Sequence, residues 1–201
     1  QAWTLTHNVP VVFYEDEPPR TGWAEIVALG ERLGGVSLVP GDADQRATLF
    51  GLGHEILGER GISWNTRLLA IHAGLTTDGQ RGFPSRLAAY LAAKYGYRPD
   101  EMDLVKSRLL AGLRFLAERL EANRRRGSRY FLGDELTALD ICSAAVVGVL
   151  SLMPQEKCPM LPLVRHAFET IVPELADGMP QELVAHRDFV YERHLKLPVR
   201  I

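Results

Sequence analysis

Leu132–Asp140 reads LGDELTALD, between an arginine-rich stretch and the most apolar segment of the chain. Thr137 and Asp140 stand three residues apart just ahead of that segment. The spacing is that of a helix capping box. Thr137 as N-cap accepts a hydrogen bond from the Asp140 amide, and Asp140 reaches back to the amide of Thr137. The first amides of a helix entering a core have no carbonyl partner and cannot be left to water. Such a cap contributes about 1 kcal/mol. LGD reads as a tight turn, with Gly133 free to take positive φ. The following ALDICSAAVVGVLSLM (138–153) is apolar nearly all round and is expected to be the central buried helix of a bundle.

Upstream, Asp100 to Asn123 carries Met102, Val105, Leu109, Leu113, Leu116 and Leu120 at helical spacing, with charges on the opposite face. RATLFGLGHEIL, ISWNTRLLAIHAGL and SRLAAYLAAKYGY also read as helices. Downstream, Leu163–Val172 and Pro180–His194 predict two more. Before residue 40 the pattern differs. Val11–Tyr14 is β-branched and aromatic and predicts a strand core. EDEPPRTG breaks it. Trp23, Ile26, Leu29 and Leu33 then mark a short helix ended by Gly34 and Gly35. SLVPGDADQ reads as a linker, with Asp42 capping the next helix.

Of 201 residues, 46% are hydrophobic and 24% charged, which suits a globular chain with one large domain or two small ones. The net charge of −2 argues against a nucleic-acid binder. Arg124, Arg125, Arg126 and Arg129 read as a solvated helix end, where cations suit the dipole, or as a surface for an acidic partner. Two cysteines, Cys142 and Cys158, form no C-x-x-C pair and point to a reducing compartment. Ile141–Met153, the longest uncharged apolar run, is too short to span a bilayer, and no signal peptide is evident. A cytoplasmic chain without a membrane partner is expected. It begins QAWTLTHNVP without an initiator methionine, so processing, trimming or preceding residues are expected.

Taken in order, an arginine-rich helix end, an aromatic–Leu–Gly–Asp turn, LTALD and an apolar helix resemble the helical C-terminal domain of the glutathione transferase superfamily. NVPVVFYED (8–16) is similar to the family's cis-proline strand, RTGWAEIVALGERL (20–33) to its following helix, and LVPGDADQRA (38–47) to its interdomain linker. The resemblance runs from Val9 to about Leu195. It implies an α+β amino-terminal part, an incomplete thioredoxin-like domain at 1–40, followed by an all-α bundle at 41–201. It also implies a strand–helix–strand unit ahead of Gln1 bearing the Tyr, Ser or Cys that acts on the glutathione thiol. No catalytic residue is therefore identified on this chain.

Glutathione is implied as co-substrate, with a small electrophile as second partner, no metal, and pairing as a homodimer. Val9, before Pro10 in a cis peptide, would offer its N–H and C=O to the cysteinyl part of glutathione. Thr21-Gly22 stands where the family has Glu-Ser, so the Thr21 hydroxyl and the amides of Gly22 and Trp23 would receive the γ-glutamyl end. Asn8 would add a polar contact. A hydrogen bond to the sulfur would raise the thiolate fraction. The electrophile pocket is expected along FGLGHEILGERGISW (50–64), with His54, Glu55 and Trp64 as its polar and aromatic residues.

His54-Glu55 does not complete H-E-x-x-H, because Gly58 occupies the last place. Gly51 and Gly53 follow no strand and lack the third glycine of a dinucleotide loop, which leaves a close approach of helices or of a ligand. His72, His166, His186 and His194 read as surface or half-buried residues, and AHRDFVYERH (185–194) as a surface network. Thr137 and Asp140 read as structural. The alternatives are a non-catalytic binding or regulatory protein of the same fold, a glutathione-dependent isomerase, dehalogenase or thiol reductase, and a plain helical interaction domain.

Overall fold

The computed structural model describes residues 10–171, 175 and 178–199. Its elements are α1 (Trp23–Leu33), α2 (Ala43–Leu57), α3 (Ile62–Thr76), α4 (Ser85–Tyr95), a 3-10 turn (Pro99–Glu101), α5 (Met102–Arg124), α6 (Ala138–Leu150), α7 (Pro162–Glu169) and α8 (Gln181–His194). Some begin or end where the chain offers a signal. Asp42 accepts the Gln45 amide at 2.9 Å at the head of α2. Pro84 precedes α4, and Gly96 ends it in the left-handed conformation at φ 62°. The stripe Met102, Val105, Leu109, Leu113, Leu116 and Leu120 of α5 is buried. It shares a core with Leu49 and Ile56 of α2, Leu69 and Ile71 of α3, Leu139 and Val147 of α6, and Leu183 of α8. A second, smaller core joins Ala144 of α6 to Val190 and Tyr191 of α8.

The α+β amino-terminal part expected from the sequence is not formed. Among the described residues there is no strand, and Val11–Tyr14 contributes one isolated antiparallel bridge, Val12 to Arg20. Its two hydrogen bonds are both 2.9 Å. A β-branched run needs neighbouring strands to become a sheet, and the returning segment carries Pro18 and Pro19, which have no amide to donate. The incomplete thioredoxin-like domain, and with it the glutathione transferase-like two-domain architecture, is therefore overturned by a mostly helical chain. Residues 10–40 pack as a bridged loop and a helix on the bundle. The Trp23 ring lies over Gly53, where an added Cβ would meet it at 2.5 Å, and 6.0 Å from the Phe50 ring.

The linker is also tied down. Glu31 accepts the amides of Leu38 and Val39 at 2.8 and 3.1 Å and the Ser37 hydroxyl at 2.5 Å. These donors hold its carboxyl below the usual range, the Ser37 hydroxyl most strongly. The Leu38 carbonyl then accepts the first amide of α6, Ala138 N–H, at 2.8 Å.

Candidate functional site

Three places could carry function: the amino end of α1, the head of α6, and a groove between the α2–α3 turn and α5. At α1, Glu25 folds back so that Oε2 accepts the amides of Thr21 (3.4 Å) and Gly22 (3.2 Å). A chain carboxylate thus sits where the sequence places the γ-glutamyl group. Trp23 is half-buried and engaged with Gly53 and Phe50. Pro10 is exposed. Asn8, Val9 and the Val9-Pro10 peptide lie outside the described residues.

At α6, Thr137 and Asp140 stand at the N-cap and N3 places of a capping box, but the Thr137 hydroxyl makes no cap to the helix amides. The Asp140 amide bonds the Thr137 carbonyl at 3.1 Å, and the Asp140 carboxylate alone reaches back. Asp140 Oδ2 accepts the Thr137 amide at 2.8 Å and the Thr137 hydroxyl at 2.7 Å. Its Oδ1 accepts the Phe131 amide at 3.0 Å, which fastens the preceding turn. Gly133 in that turn has φ 56°. His186 Nε2 of α8 lies 3.1 Å from Oδ1. Asp140 and His186 are 0% and 3% exposed, so the carboxylate joins α6 and the turn inside the core, with the His186 ring of α8 beside it but without a hydrogen bond to it. Arg187 is buried too and bonds Asp188 and the Ser151 carbonyl. The surface reading of 185–194 is therefore corrected for His186 and Arg187. Leu183, His186, Arg187, Val190 and Tyr191 share one inward stripe at helical spacing, a signal present in the sequence.

The groove has a volume of about 790 Å3 and brings His54 and Glu55 together with Glu59, Arg60, Asn65 and Arg108. Leu52, Ile62 and Phe115 supply its apolar wall. Gly51 lines it with open space around it. Local structure explains the turn. Gly58 lets the His54 ring fold back, since a Cβ there would lie 2.3 Å from Nδ1. Arg60 takes φ 63°, and its carbonyl accepts the side-chain amide of buried Asn65 at 2.8 Å.

Trp64 is not in this groove. It packs edge-on to Tyr95 at 4.9 Å and lines a neighbouring cavity of about 110 Å3, shared by Glu59, Arg60, Asn65 and Arg108. The sequence reading missed Arg60, Asn65, Arg108 and Phe115. Arg60 had a signal, the turn GERG; Arg108 and Phe115 stand on the exposed side of α5, which reads as solvated.

Among the described residues, no three His, Cys, Asp or Glu side chains converge as a metal-binding group. Cys142 is a poor nucleophile, because burial pushes its thiol up to about 11. No helix among the described residues is long and apolar enough to cross a membrane. Comparison with protein-family models, curated proteins and solved structures finds no match.

Proposed function

We propose that the chain acts as a glutathione transferase-like protein that binds glutathione and conjugates it to a small electrophile seated in the groove beside His54 and Glu55. The observation that carries this reading is the buried box at the head of α6. In the LGDELTALD stretch that resembles the superfamily, the Asp140 carboxylate holds the Phe131 turn and the head of α6, and the Ala138 amide holds the linker through the Leu38 carbonyl. His186 of α8 lies 3.1 Å from the same carboxylate. The groove of about 790 Å3 is lined in part by Gly51, Leu52, His54, Glu55 and Ile62, which lie on 50–64, the stretch the resemblance gives to the electrophile. In the reaction the glutathione thiolate attacks the electrophilic carbon and the leaving group departs with its electron pair. No residue of this chain is assigned the activation of the thiol. The protein pairs as a homodimer and works in the cytoplasm, a setting suited to two free cysteines.

The test is turnover. Purified protein with glutathione and chlorodinitrobenzene is expected to form the thioether and release chloride faster than buffer does. A rate equal to buffer for this and for an enone acceptor contradicts conjugation. One observation favours a second reading, a non-catalytic binding protein: Glu25 already occupies the Thr21 and Gly22 amides. That reading predicts neither retention on immobilised glutathione nor turnover.

A further inference from the structure

We propose that Arg60 and Arg108 form a paired clamp that makes the groove select small aromatic monocarboxylates. This rests on the reading that the groove holds the second substrate, and it names the class. Both side chains line the groove of about 790 Å3 and also the adjoining cavity of about 110 Å3. Residues common to both form the wall between them, so the two side chains border the same space. Neither guanidinium has an ion pair or hydrogen bond among the described residues. A carboxylate seated in that space can accept forked N–H bonds from both guanidiniums.

The position of Arg60 is imposed by the backbone. A φ of 63° is uncommon for a residue with a side chain, and it is held by Asn65, which is 3% exposed. Strain of this kind is characteristic of binding sites. Phe115, 49% exposed, and Ile62 offer a face for an aryl ring in the same groove. Glu55 and Glu59 line it as well. They oppose a compact dianion more than a monoanion, which sets a monocarboxylate above inorganic phosphate.

Titration calorimetry without glutathione tests the clamp, with 2-naphthoate, neutral 2-naphthamide and inorganic phosphate as probes. Wild-type protein is expected to bind naphthoate about tenfold or more tighter than naphthamide, and phosphate more weakly than naphthoate. Arg60→Gly and Arg108→Gln should each abolish the naphthoate advantage and leave naphthamide affinity unchanged. Both residues are exposed, and glycine suits φ 63°, so both variants should fold; thermal unfolding recorded alongside checks this. Equal affinity for the two naphthalenes, binding of neither, phosphate tighter than naphthoate, or an advantage that survives both substitutions overturns the clamp. Naphthoate selectivity without glutathione turnover keeps the clamp and removes the transferase. Conjugation of neutral electrophiles without naphthoate selectivity does the reverse.

Discussion

Asp140 concentrates more of the fold on one side chain than any other residue described above. It is fully buried and accepts from the Phe131 amide, the Thr137 amide and the Thr137 hydroxyl, with His186 beside it. Asp140→Ala strands all of these donors inside the protein and is expected to cost about 3–5 kcal/mol in denaturant unfolding. A loss below about 1 kcal/mol, the value of an ordinary surface cap, would show that the carboxylate only starts a helix. Half of this was legible. Thr137 and Asp140 announce themselves by spacing, whereas His186 reaches Asp140 from a helix far along the chain, and no local pattern carries that. Cys142 gives a pH prediction. Its folded pKa of about 11 lies above the unfolded value of about 8.5. The stability it lends is fully present below the unfolded value and is lost as pH rises through about 11. Alkylation located by mass spectrometry should be slow at Cys142 at neutral pH and accelerate only in that alkaline range.

Between elements, the docking of α1 on α2 turns on one glycine. A methyl at Gly53 would stand 2.5 Å from the Trp23 ring, so Gly53→Ala must displace that ring from its seat on α2. A loss of about 1–3 kcal/mol in thermal unfolding is expected, as for overpacking generally. Gly51→Ala is the control, because nothing lies within 4 Å of its added Cβ. It should leave stability unchanged or raise it by up to about 1 kcal/mol, as alanine favours a helix interior. An equal loss from both would mean that Trp23 does not set the spacing. The helices were readable because apolar residues recur at helical spacing along α5 and before α6. Val11–Tyr14 was misread because its composition suits a strand while its neighbours cannot pair with it. Strand propensity expresses packing on a sheet, and no sheet is offered.

Across the whole molecule, Glu31, Leu38 and Ala138 fasten residues 10–40 to the bundle, so the change in sequence character near residue 40 is not a free hinge. The bundle was visible in the sequence; the groove was only partly so. His54 and Glu55 lie on the expected segment, but Arg108 and Phe115 come from a face of α5 that reads as surface. The self-capped end of α1 makes a molecule-level prediction. Glu25→Ala should free the Thr21 and Gly22 amides and tighten glutathione binding several-fold, since a helix amino end receives carboxylates. Underneath lies the claim that glutathione binds this protein at all. Titration calorimetry of glutathione into the wild-type protein measures it directly. Saturable binding of one glutathione per chain, with an affinity in the ~μM to mM range of enzyme substrates, is the predicted result. No saturable binding, in the wild-type protein or in Glu25→Ala, would contradict the account.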